Sequence, residues 1–303
     1  MNIQGFTPYP FQEDLIKSIV ESDEMFHTII AGRQIGKSLT LINLMLYYVL
    51  NNPKSTALWL APVYAQSVKI LSQILDAVGD APILKEANKS EKIISFVNGS
   101  RIYFRSAEKP ETIRGLSVDY LFADEAQDIQ DDAMSKAVIP TLTAAGKKAI
   151  IAGTPKTRNW FHSYYAKGLD DNEVDYQSYH APSSVSPFVS DSFLEEQKRS
   201  LPEAIYRQEY LAEFQDSEGA VFSKSNEIVG GGKKSLVITQ TLKTTNENVS
   251  PISDPEVSLV QSYQNLINNC RRLKKQEQLE QLVKKMRQIP KQYKFKDKEN
   301  IIP

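Results

Sequence analysis

The strongest constraint on the fold is a recurrence of short, almost unbroken apolar runs separated by longer stretches with helical spacing. FHTIIA (26–31), TALWLAP (56–62), VDYLFADEA (118–126) and KAIIAGTP (148–155) are of strand length. A strand that is apolar on both sides must be covered on both sides. KSLTLINLMLYYVLNN (37–52) and YAQSVKILSQILDAV (64–78) space their apolar residues like helices. The alternation predicts an α/β fold with a mostly parallel central sheet flanked by helices. EKIISFVNGSRIYFRSA (91–107) departs from it, with two β-rich runs around Asn98-Gly99, a hairpin signal. PYPFQEDLIKSIV (8–20) reads as a lead-in and an amphipathic helix, and a helical stretch follows residue 126. Residues 192–214 read as two further helices, the second with Pro202 in its first turn.

Charge divides the chain. The 303 residues have a net charge of -1, but residues 1–222 carry 21 Lys/Arg against 29 Asp/Glu, and residues 223–303 carry 15 against 8. Such a contrast suggests two parts with different jobs. Cys270 is the only cysteine, and His27, His162 and His180 are the only histidines. No internal disulfide can form and no zinc spacing exists, which fits a reducing cytosol. The first ten residues lack the basic and apolar regions of a secretion signal. The longest apolar stretch, 39–50, is too short to span a bilayer, so no membrane role is expected.

After about Phe222 the texture changes. Three consecutive glycines, one strand-like run (236–242) and a polar, Pro-containing stretch make 223–253 a linker or loose segment. Asp254-Pro255-Glu256 is a helix start, and 254–290 reads as a basic amphipathic helix followed by a disordered end, 291–303. Residues 270–298 hold eleven Lys/Arg against three acids. Salt-sensitive binding to the DNA backbone, a coiled-coil or partner helix, and a solvated helix with no job are all open readings.

The chemistry gathers at the ends of the apolar runs. In HTIIAGRQIGKSLTLINL (27–44) the pattern G-x-x-x-x-G-K-[S/T] is nearly met, but Ala31 holds the first glycine position and Gly32 comes one residue late. A strand–loop–helix places backbone N–H groups and a helix N-terminus where a phosphate could sit. Lys37 would reach the outer phosphates and Ser38 would hold Mg²⁺; the plain alternative is a chance Gly-Lys-Ser before an ordinary helix. Asp124 and Glu125 end a strand, where an Asp can bind Mg²⁺ and a Glu can activate water, although solvated acids also end strands. Gly153-Thr154 would bring a hydroxyl to the same sheet edge, although Gly-Thr-Pro after a strand also reads as a plain turn. Arg101 and Arg105 alternate with Tyr103 and share a face, read as solvated, with DNA contact the weaker option.

Taken in order, PYPFQ, GRQIGKS, APVYAQS, FRSAEKPETIRGLSVDYLFADEAQDI, IAGTP and YRQEYLAEFQDSEGAVF resemble the large subunit of the tailed-phage terminase, the ATPase that packages viral DNA into procapsids. The resemblance covers about residues 6–222, so residues 1–222 are expected to form the ATPase domain. It implies a P-loop NTPase of the additional-strand, catalytic-Glu type using ATP and Mg²⁺. It also implies double-stranded DNA, the portal or procapsid and a small terminase subunit as partners, a homo-oligomeric ring, and the cytoplasm of a bacterial host. At matching positions, Gln12 resembles the glutamine that reads adenine, with Phe11 or Tyr9 near the base, and Gly32, Gln34, Gly36, Lys37 and Ser38 form the ATP loop. Arg33 resembles the arginine that contacts the γ-phosphate; Ser38 and Asp124 are the Mg²⁺ residues, Glu125 is the base, and Gly153 and Thr154 lie in the coupling motif. Arg114 is either a phosphate or intersubunit arginine, or a surface arginine before a Gly turn. Full-length members continue into an RNase H-like nuclease, which needs several carboxylates on strands. The one strand-like run after Phe222 has none, so the nuclease is expected to be absent through truncation, a split gene or an insertion. A helicase-like ATPase and a non-catalytic binding fragment are the rival readings.

Overall fold

The computed structural model describes residues 7–78 and 81–215; the readings for 223–253, 254–290 and 291–303 lie outside them. One sheet of eight strands organises the described residues. The strands are β1 (Phe26–Ala31), β2 (Thr56–Ala61), β3 (Leu84–Asn88), β4 (Ile93–Phe96), β5 (Arg101–Ser106), β6 (Tyr120–Ala123), β7 (Lys148–Gly153) and β8 (Tyr176–Ala181). Their order is β3-β4-β5-β2-β6-β7-β1-β8. From β5 to β8 every neighbouring pair is parallel, and β3, β4 and β5 pair antiparallel. The helices are α1 (Pro10–Glu21), α2 (Lys37–Asn51), α3 (Tyr64–Val78), a single turn α4 (Asp131–Ala133), α5 (Trp160–Lys167), α6 (Asp191–Ser200) and α7 (Glu203–Glu209).

The apolar runs became the inner parallel strands, because each is buried on both faces. On one face Leu58, Leu60, Leu121, Ala123, Ala149 and Ile151 pack with Met134, Val138, Leu142, Trp160 and Phe161. On the other, Tyr48 of α2 stacks on Tyr120 at 4.8 Å between centroids and lies against Phe122. The Asn98-Gly99 turn joins β4 to β5 as expected, with Gly99 at φ +87°.

Other expectations need correction. The stretch after residue 126 is helical, as expected, but in mixed turns. It is a 3-10 turn (Ala126–Asp128), α4, a wide π turn (Met134–Val138) and another 3-10 turn (Ile139–Leu142), whose first turn holds Pro140, where a missing backbone N–H is tolerated. Pro202 stands at the N-cap of α7, not in its first turn. Arg105 is not simply solvated: it lies over Tyr103 at 5.2 Å, and its guanidinium donates to the carbonyls of Glu91 and Thr112 at 2.8 and 3.2 Å. Arg101 is exposed, as read. No helix among the described residues is long and apolar enough to cross a membrane.

One polar cluster sits in the core. His27 on β1 is fully buried, with Nε2 at 2.9 Å from the Glu24 carbonyl and 3.3 Å from Lys148 Nζ, and Nδ1 at 3.2 Å from the Tyr179 hydroxyl. Burial, then the Lys148 charge, pushes its pKa down from 6.5 to about 4. The folded imidazole is neutral at pH 7, whereas the unfolded chain takes up a proton below pH 6.5. The associated stability is therefore complete above pH 6.5 and is lost as pH falls towards 4, by about 3 kcal/mol at most. Urea midpoints measured at pH 7 and pH 4.5 should fall more steeply for the wild type than for His27→Gln. Parallel pH dependence in the two proteins would remove His27 as the source.

Candidate functional site

The loop 32–36 joins the end of β1 to the start of α2, and its geometry explains the late glycine. Ala31 is still strand, paired with Ala181 of β8. The close approach falls one residue later. A Cβ on Gly32 would run into Ser183, with its backbone nitrogen 2.8 Å away, and would lie 2.9 Å from the Tyr210 carbonyl. The loop is also tied down from outside. Gly32 N donates to Ala181 O (2.8 Å) and Arg33 N to Glu209 O (2.9 Å). The hydroxyls of Ser183 and Ser186 donate to the carbonyls of Arg33 and Gln34 at 2.8 and 2.9 Å. Gln34 (φ +64°) and Gly36 (φ +74°) are left-handed, and Gly36 is the N-cap of α2. Consecutive amides in such a turn, at a helix N-terminus, form a concave anion-binding surface.

Lys37 Nζ lies under the loop, donating to the carbonyls of Ala31 (3.2 Å) and Gly32 (3.0 Å) and to Thr154 Oγ1 (3.1 Å). Burial lowers its pKa, opposed by the charges of Glu125 and Asp124. Asp124 follows β6 and is 6% exposed. Burial raises its carboxyl above the usual carboxylate range, opposed by a hydrogen bond from Ser38. Hydroxyl and carboxylate therefore lie near one another, one from the first turn of α2 and one from a strand end. Glu125 has a left-handed backbone (φ +50°), uncommon for a residue with a side chain. Its carboxylate accepts from Gln127 Nε2 at 2.7 Å, and Gln127 Oε1 accepts from Thr154 N at 3.0 Å. An amide thus links the acid after β6 to Gly153-Thr154 at the end of β7.

The remaining expected residues are dispersed. Gln12 is buried; its amide donates to Thr40 Oγ1 (3.0 Å) and Ile35 O (3.5 Å), and its Oε1 accepts from Tyr9 N (3.4 Å). Tyr9 donates its hydroxyl to Ile35 O at 2.9 Å. Phe11 is in the core and does not line the cleft. Arg33 pairs with Glu209 of α7 at 2.5 Å. Arg114 is exposed beside Gly115 (φ +82°), also outside the cleft. A cleft of about 1070 Å³ has Lys37, Ser38 and Glu125 among its lining residues, together with Tyr9, Gln12 and Phe188. Thr40, Ser183, Ser186 and Glu209 escaped the sequence reading, because no local pattern marks a residue that props a distant loop. Gln127 in ADEAQD, Glu209 in YRQEYLAEF and Thr40 in GKSLT lie within the motifs named above, yet nothing local marks their part.

The family model described as terminase large subunit, T4likevirus-type, N-terminal, matches residues 28–228. The chain belongs to the terminase large-subunit family. The terminase large subunit of Escherichia phage T5 is 31% identical over 228 residues, 74% of this chain and 52% of that protein. That of Thermus phage G20c is 27% identical, over 63% of this chain and 46% of that protein. This terminase chain spans about half the length of the curated relatives it matches. Its structure is similar to the large terminase ATPase domain of Thermus phage P74-26, with a TM-score of 0.59 and 25% identity over 70% of this chain and 96% of that one. It also shares the fold of the large terminase from a thermophilic bacteriophage, solved in complex with ATP-gamma-S. There the TM-score is 0.57 and the identity 12%, over 68% of this chain and 53% of that one.

The shifted glycine gives a direct test in this terminase. Gly32→Ala should cost about 1–3 kcal/mol, because the added methyl meets backbone on two sides. Ala31→Gly, which restores the loop pattern, should gain nothing and lose about 1 kcal/mol through strand flexibility. Chemical denaturation of both variants checks the order; a harmless Gly32→Ala would mean that the loop packing is soft.

Proposed function

We propose that this terminase chain hydrolyses ATP with Mg²⁺ and that hydrolysis drives double-stranded DNA into procapsids. The observation that carries the reading is the convergence of Lys37, Ser38, Asp124 and Glu125 below one anion-binding loop. Hydroxyl and carboxylate oxygens are the donors that Mg²⁺ prefers, so Ser38 and Asp124 fit as its protein-side holders. When bound, the ion neutralises phosphate charge. Lys37 exchanges its loop carbonyls for the outer phosphates, and Arg33 leaves Glu209 to meet the γ-phosphate. Glu125 accepts the proton of the attacking water, held in aim by Gln127. The Gln127–Thr154 link carries a change at the acid to the end of β7, which suits a coupling role for Gly153 and Thr154.

The names of the similar proteins support this reading. The P74-26 domain is called an ATPase domain, and the terminase of the thermophilic bacteriophage was solved with ATP-gamma-S and with ADP. A homo-oligomeric ring at the portal, working with a small terminase subunit in the bacterial cytoplasm, is part of the same proposal. Exposed Arg114 is available to a neighbouring subunit in such a ring.

Glu125→Gln should keep ATP binding and lose turnover by about 10²- to 10⁴-fold. Steady-state hydrolysis with and without linear DNA and procapsids measures it. Unchanged hydrolysis in the variant would remove Glu125 from its role. Binding without turnover in the wild type would favour a non-catalytic fragment, and unwinding of a forked duplex would favour a helicase.

A further inference from the structure

Phe188 is the most exposed large apolar side chain among the described residues, at 82%. A single exposed apolar residue needs no explanation, but the position of this one does. Its segment is fastened to the loop: Ser186 is buried and donates to Gln34 O at 2.9 Å, and Phe188 N donates to Ser186 Oγ at 3.4 Å. The ring stands edge-on to Tyr9, with centroids 6.3 Å apart at 85°. It lines the same cleft as Gly36, Lys37 and Ser38.

The other groups at that end are committed elsewhere. Both amide hydrogens of Gln12 go to Thr40 and Ile35. Phe11 belongs to the core. Tyr9 is 9% exposed and its hydroxyl is engaged, so it offers little ring face. Phe188 is the aromatic ring at this end with an open face. We infer that Phe188 is the platform on which the nucleotide base stacks. This rests on the ATP reading above and names the residue that would hold the base. An apolar ring reads the flat face of a base and not its edge, so it supplies affinity with little choice among bases.

The test compares ATP with inorganic tripolyphosphate, which shares the phosphates and lacks the base. Phe188→Ala should weaken ATP binding about tenfold and leave tripolyphosphate binding unchanged. Phe188→Trp should retain ATP affinity, and its indole emission should change with ATP but not with tripolyphosphate. The native Trp59 and Trp160 are buried and give a steady background. Equal ATP affinity in Phe188→Ala and wild type would overturn the inference while leaving the ATP reading intact. Equal losses for both ligands would also overturn it, since Phe188 would then act on the phosphate loop. A wild type that binds neither ligand would sink the ATP reading, and this inference with it.

Discussion

Parallel strands share a direction, and in this chain that constraint decides where chemistry can happen. Their C-terminal ends fall on one edge, where the sheet's hydrogen bonds run out and backbone groups need other partners. Ala31 leads into the loop, Ala123 into Asp124 and Glu125, Gly153 into Thr154, and Ala181 into Ser183. Residues more than a hundred positions apart therefore meet without any long-range instruction beyond the burial of apolar strands.

Electrostatics at that edge are set by burial. Lys37 and Asp124 are each shifted towards neutrality by loss of water, and each is held towards its charged form by groups around it. Lys37 has carbonyls and Thr154 as partners; Asp124 has Ser38. Such charges are well placed to exchange their present partners for a phosphate and a cation, because they already bear the desolvation cost.

The inner architecture was legible because parallel strands announce themselves as unbroken apolar runs. β1, β2 and β7 were readable within two residues and β6 within three, and so were α2 and α3 by their period. β8, YQSYHA, was not: at the sheet edge half its residues can be polar, and nothing in it alternates cleanly. β3, LKEAN, failed for the same reason. α5 went unread because its start lies in Asn159, whose side chain caps Phe161 N and His162 N after a turn that resembles any loop. At the site, Lys37, Ser38, Asp124 and Glu125 were visible because Gly-Lys-Ser before a helix and an acid pair at a strand end are each local patterns. Gln12 was found, but its inward hydrogen bonds were not. Ser183, Ser186, Glu209 and Phe188 answer to the loop's shape, and shape is not written in any local window.

The hydrogen bonds that fasten the loop to β8, Ser183, Ser186 and Glu209 form a mesh of two backbone and two hydroxyl teeth. A side chain at Gly32 would press on Ser183 and the Tyr210 carbonyl, which lie on opposite sides of α6 and α7 in the chain. The shape of the loop that would grip a phosphate therefore depends on residues more than a hundred positions further along the chain.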